Sequence, residues 1–285
     1  MSEYFPTVGV VGAGALVRMM VAPALALGVD IVNIQTDIDT AELKKYSMTS
    51  VIGDPIPVSQ VKTLENSGVA FRPNSSSMSF VKDWNESRDA EEFVDVRFSV
   101  LVARSPHGQA AAWTPTEINE VQSALMTITP SPHLSPAQLG RAQTLALDLA
   151  KESGAVGVME VEIFLKNGEL FASRLSLGPT LNGSWTIEGA RTSQFEQHLR
   201  AILDLPLGDP SLVAPFAVSG TYFGEGNMYR PYLHLMARSP GLKIHQYRAG
   251  LSQAKGHVTA MGDDLLDLRE CVTHAVEYMS GVIDE

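Results

Sequence analysis

The chain has 285 residues, 45% of them apolar, and a formal net charge of −11. The apolar share supports a buried core and excludes a disordered polymer, in a length that suits one large domain or two to three small ones. The acidic balance argues against nucleic acid as a partner. A lone Cys271 excludes an intrachain disulfide framework, fits a reducing cytoplasm and reads as a small core residue. No stretch is long and apolar enough for a membrane span, and the first apolar run, Val8 to Val11, leads into a glycine turn rather than a cleavage site, so no secretory leader is expected.

Val8–Val11 reads as a buried strand. Gly12-Ala13-Gly14-Ala15-Leu16-Val17 then turns into a helix that ends near Gly28, with a kink expected at Pro23. A second strand, Val29 to Gln35, ends at Thr36-Asp37-Ile38-Asp39. This is a βαβ opening with a glycine-rich turn, but Val17 holds the third glycine position of a dinucleotide fingerprint, so the turn alone is weak grounds for such a ligand. A strand over Met48–Ile52 and a short helix around Val58–Glu65 follow. Asn74–Ser77 reads as a loop, and Asp83–Glu92 as a polar, acidic stretch.

Asp95–Arg104 is a strand, and residues 106–114 form a hairpin tip and a returning strand. His107 there is a surface turn residue, because no carboxylate or nucleophile flanks it. Past a loop with Pro130, Pro132 and His133 comes a helix with a full set of signals. Ser135 caps it, Pro136 opens it, Gln138 completes a capping box and Gly154 ends it; Leu139, Ala142, Ala146 and Leu149 form its buried stripe.

Val156 to Leu165 alternates as a strand does. Met159, Val161, Ile163 and Leu165 take one face, and Glu160, Glu162 and Phe164 the other, which sets the two carboxylates roughly 6–7 Å apart. Asn167-Gly168 is a hairpin turn into Leu170–Ser176. A two-residue turn would put Ser173 opposite Glu162; a three-residue loop bulged at Gly168 would put Arg174 opposite Glu160. A Gly-rich loop leads to a helix with Ser193 as N-cap, Glu196 in a capping box, Phe195, Leu199 and Ile202 buried, and Pro206 as its stop. Beyond Pro210 come a strand over Phe216–Tyr222, a turn at Gly224–Gly226, Met228–Arg238 without an assigned element, strands at Lys243–Tyr247 and Gly256–Ala260, and a closing helix over Leu265–Met279.

The run Thr192–Asp209, TSQFEQHLRAILDLPLGD, closely resembles the N5-carboxyaminoimidazole ribonucleotide synthases. These are ATP-grasp ligases that carboxylate aminoimidazole ribonucleotide in purine synthesis. Gly12, Gly14, Leu16, Arg18 and Met19 match the family's opening, and Gly68–Pro73 and the C-terminal end are also similar. The resemblance covers residues 8–36, 68–73 and 95–285. It implies an α/β protein with a Rossmann-like N-terminal domain (1–73), an ATP-grasp core (74–209) truncated by loss of its lid subdomain, and a small β-rich C-terminal domain (210–285).

Several positions that carry chemistry in the family differ. Family members read Asn-Glu, then Arg, then His-Asn-Ser-Gly-His-Trp-Thr where this chain has Ser173, Arg174, Gly178 and Thr180-Leu181-Asn182-Gly183-Ser184-Trp185-Thr186. Ala15 replaces a substrate-contacting Gln. The phosphate-binding cluster is reduced to Arg248 and Lys255, and lone cations capture phosphate less well than arginine forks. The resemblance therefore implies a vestigial nucleotide site at Gly12, Gly14, Ala15, Leu16, Arg248 and Lys255. It also implies a vestigial metal position at Glu162, whose acidic partner is now Arg174. A guanidinium cannot ligate a cation. Arg174 is either a substitute for the metal, paired with Glu160 or Glu162, or a solvated surface arginine.

Three functions follow as expectations. The first is a catalytically degenerate relative that needs no cofactor and binds a partner, as a homodimer or with an active paralogue, with a small nucleotide as ligand. The second is an active ATP- and Mg-dependent synthase. The third is a small dinucleotide-binding oxidoreductase.

Overall fold

A computed structural model describes residues 6–12, 14–34, 39–52, 56–87, 96–121, 124–223, 230–247 and 254–283. The expected turn at Gly224–Gly226, the tip Thr36–Ile38, and Arg248 to Gln253 lie outside them. The chain opens with β1 (Thr7–Val11), α1 (Ala15–Met19), α2 (Val21–Leu27), β2 (Asp30–Ile34), α3 (Thr40–Leu43), β3 (Met48–Val51), α4 (Val58–Asn66) and β4 (Phe71–Arg72). The four strands form a parallel sheet in the order β2-β1-β3-β4, the Rossmann-like arrangement expected. The first helix is broken upstream of Pro23, at Met20. Proline lacks an N–H and crowds the carbonyl four residues back, so it settles in the first turn of α2, where no donor is needed.

The next element corrects an expectation. Asn74 is an N-cap, its side chain accepting from the Ser77 N–H at 2.9 Å, and α5 (Ser75–Glu86) replaces the anticipated loop and the start of the acidic stretch. Phe80, Val81 and Trp84 pack it onto the core. Asn85 donates to the Leu175 carbonyl and accepts from the Leu175 N–H, both at 2.9 Å.

Then come β5 (Arg97–Arg104), β6 (Ala110–Ala112), β7 (Thr116–Val121), β8 (Ala124–Thr129), α6 (Pro136–Glu152), β9 (Gly157–Lys166), β10 (Glu169–Leu177), a 3₁₀ turn (Leu181–Gly183), α7 (Thr186–Gly189) and α8 (Gln194–Ile202). β7 and β8 were not anticipated. The chain ends with β11 (Phe216–Tyr222), α9 (Arg230–Arg238), β12 (Lys243–Gln246), β13 (Gly256–Gly262) and α10 (Leu265–Met279). The strands form a nine-stranded antiparallel sheet, β10-β9-β5-β7-β8-β11-β13-β12, with β6 beside β5. Because β11 pairs with β8, the strands after residue 210 continue the core sheet rather than starting another.

α6 keeps its capping box, and Ala142, Ala146 and Leu149 of the expected stripe are buried, while Leu139 is half-buried against the core. α8 does more than the sequence suggested. Phe195, Leu199 and Ile202 pack with Val8, Val10 and Met20 of the N-terminal domain, while polar Gln194, Gln197 and His198 are buried on its other sides. Only the Ser193 half of its capping box forms; Glu196 turns instead to Arg200 at 2.6 Å. His198 Nδ1 accepts the Val158 N–H at 3.1 Å and its Nε2 lies 2.8 Å from Ser50 Oγ. One ring thus joins β9 to β3. A side chain at Gly157, which has φ +106, would meet that ring at 2.8 Å.

Burial holds the His198 pKa down to about 3 from 6.5. The folded state binds the neutral ring, so this contribution is fully present above pH 6.5 and is lost as pH falls toward 3. Denaturant unfolding should show His198→Gln to be less stable than the parent at neutral pH. Between pH 6.5 and 4.5 its stability should fall less steeply, by about 1.4 kcal/mol per pH unit. Parallel curves for the two proteins would show that the ring carries no such linkage.

Candidate functional site: the β9 carboxylates and the glycine turn

The alternation of β9 is as expected. Met159, Val161 and Ile163 lie in the core under α6, and Glu160 and Glu162 share the opposite face. The hairpin starts in the anticipated two-residue register, holds it through Ala172 opposite Ile163, and then leaves it. Asn167 (φ 52) and Gly168 (φ 80) form a two-residue turn, with Glu169 opposite Lys166. A bulge between Ala172 and Arg174 then places Arg174 directly across from Glu162. The bulge leaves both Ala172 and Leu175 buried in the core and sends Ser173 Oγ to the Glu162 carbonyl at 3.2 Å.

Glu160 is fully enclosed. Its Oε1 accepts from Ser99 Oγ in a short hydrogen bond and from Asn182 Nδ2 at 2.6 Å. Burial pushes its pKa up, the two donors counter this in part, and the Glu162 charge adds to the rise. Arg174 is exposed and borders a groove of about 400 Å³ beside Lys82 and Glu86 of α5. Among the described residues it makes no ion pair with Glu160 or Glu162, so the anticipated substitute salt bridge is not formed. The polar partners of Glu160, Ser99 and Asn182, were missed. They come from different elements, and no local spacing connects them.

At the glycine turn, Gly12 has φ +139, and a side chain there would strike the Ile52 carbonyl at 2.3 Å. Gly14 is the N-cap of the five-residue α1. Ala15 packs against Tyr247 and Ala254, which brings the turn next to the segment that carries Lys255. The backbone of Lys255 is fixed between Tyr222 and Tyr247. Leu16 points elsewhere, into the N-terminal core.

The donor set does not fit a magnesium ion bridged by two strands. Mg²⁺ needs hard oxygen ligands. Across β9 and β10 it finds the Glu162 carboxylate, a guanidinium at Arg174, and a Glu160 carboxyl already committed to Ser99 and Asn182.

Residues 69–195 match the ATP-grasp domain family. N5-carboxyaminoimidazole ribonucleotide synthase of Mycobacterium tuberculosis is 41% identical over 201 residues, which are 67% of this chain and 47% of that protein. The synthase of Corynebacterium ammoniagenes is 36% identical over 233 residues, 75% of this chain and 56% of that one. The chain is an ATP-grasp protein related to the N5-carboxyaminoimidazole ribonucleotide synthases. It spans about half the length of the curated relatives it matches. The Thermotoga maritima synthetase structure superposes with a TM-score of 0.80 at 22% identity, covering 95% of this chain and 98% of that one. The Aspergillus clavatus synthase complexed with ATP superposes with a TM-score of 0.82 at 17% identity, covering 98% and 99%. At these identities the ATP-grasp fold is what is shared. Because both chains are covered nearly end to end, a missing lid does not follow from these superpositions. No described helix is long and apolar enough to cross a membrane.

The raised pKa of Glu160 makes a direct prediction for this ATP-grasp core. Its neutral form is favoured by folding, so its contribution is complete below pH 4.5 and declines as pH rises through the folded pKa. Glu160→Gln keeps an acceptor for Ser99 and Asn182 and cannot ionise. It should melt above the parent at pH 8, with the difference closing toward pH 4.5. A variant less stable than the parent at pH 8 would mean that the carboxylate, not the acid, is the folded species.

Proposed function

We propose that the chain acts at the ATP-dependent carboxylation of aminoimidazole ribonucleotide in purine biosynthesis, the reaction of the synthases it resembles. The observation that carries this reading is the 41% identity over 201 residues. A Rossmann-like turn and an ATP-grasp sheet held in one framework by α8 agree with it. In this reading the nucleotide and its metal are held without an acid pair across β9 and β10.

A second reading is favoured by one specific observation: Arg174 stands opposite Glu162 while Glu160 is capped by Ser99 and Asn182. In it the chain is a truncated, degenerate ATP-grasp core without a lid subdomain. It needs neither ATP nor Mg²⁺ for a cofactor and works as a homodimer or with an active paralogue. Nucleotide binding at Gly12, Gly14, Ala15, Leu16 and Lys255 belongs to both readings as a proposal, whereas a position for Glu162 beside the metal belongs to the first and is vestigial in the second.

Steady-state assays of the purified chain with ATP, Mg²⁺, bicarbonate and aminoimidazole ribonucleotide separate the two. The first reading expects ADP release that requires the ribonucleotide. The second expects none. It also expects no magnesium-dependent thermal shift with ATP, where a ligand at 100 times its Kd would add roughly 2.7 kcal/mol of stability. Turnover ends the second reading. Absence of both turnover and any ATP shift ends the first.

A further inference from the structure

We propose that Glu188, His245 and His257 form a binding site for a divalent transition ion of the zinc class, at the junction of α7 with β12 and β13. One donor atom from each residue lies within 4.8 Å of the others. His245 and His257 are directly opposed in the antiparallel β12–β13 pair, so both rings project from one face. The rings stack at 4.5 Å with 9° between their planes. α7 brings Glu188 Oε1 to 2.6 Å from His245 Nε2.

Two atoms of this cluster are left without partners. His257 is fully buried; its Nδ1 meets the Tyr247 hydroxyl at 2.6 Å, and its Nε2 has no hydrogen-bond partner. Glu188 Oε2 is likewise buried and unpartnered. Orphaned buried polar atoms cost free energy, and two in one three-residue cluster point to an absent ligand.

The donor types identify that ligand. Two imidazole nitrogens and a carboxylate suit zinc and its neighbours rather than magnesium or calcium. A ring nitrogen already tied to a second group, as His257 Nδ1 is to Tyr247, is the usual way a metal-binding imidazole is oriented. Donors around a tetrahedral ion stand about 3.4 Å apart, so closing on the metal needs side-chain movement of about an ångström. His245 also lines a cleft of about 160 Å³ between α1, α2 and β12, which gives the ion a way in.

The test uses the full chain, stripped with a chelator and titrated with Zn²⁺ against a chromogenic competitor. One equivalent should bind, and Glu188→Gln and His245→Gln should each weaken it by about tenfold or more. His274→Gln, which alters the separate His234–His274 pair, should leave affinity unchanged. Should the site variants fail to fold by circular dichroism, the Co²⁺ spectrum of the parent decides. Intense bands of a four- or five-coordinate ion support the site, and a weak six-coordinate spectrum overturns it. Substoichiometric binding, unchanged affinity in the folded site variants, or loss with His274→Gln also overturns it.

Discussion

The His198 ring is the joint on which the two halves of this protein depend. One nitrogen takes a backbone N–H from β9 and the other meets a hydroxyl on β3, with no water between. The arrangement requires a neutral ring, and burial supplies it. It also requires a glycine at 157, because the ring occupies the space where a side chain would start. α8 reinforces the joint by placing Phe195, Leu199 and Ile202 in the N-terminal core. Hydrophobic burial supplies attraction without direction, and the imidazole hydrogen bonds fix the angle.

The same helix organises the loop that precedes it. The Gln194 side chain accepts from the Thr180 N–H at 3.0 Å and donates to the Thr180 carbonyl at 2.7 Å, pinning the strand exit. Gln197 does the same for Gly208, at 2.7 and 2.8 Å. With Asn85 on Leu175, three amide side chains each imitate a strand partner for one residue. Each satisfies backbone groups that would otherwise be buried unpaired. The loop so held delivers Asn182 to Glu160, which turns a potential charged site into a closed hydrogen-bonded one.

Local signals in the sequence located most elements. The capping box of α6, the alternation of β9 and the Asn-Gly turn each act within a few residues, so they can be read without the fold. The helix α5 was obscured because Asn74 followed by three serines resembles a loop, although the same Asn is a good N-cap. The register of β10 was unreadable for a different reason. A bulge costs one residue and is selected by burial of Ala172 and Leu175 against a distant helix, not by the turn.

By itself the sequence determined the family resemblance, the Rossmann-like opening and the paired glutamates on one face of β9. Those facts follow from residue identity and short-range periodicity. Only the tertiary structure decided that Glu160 is sealed by Ser99 and Asn182, that Arg174 faces Glu162 without pairing to it, and that the C-terminal strands extend the core sheet. It alone gathered Glu188, His245 and His257. Side chains far apart in the chain meet only where packing brings their elements together, and burial then sets the protonation state that each can hold.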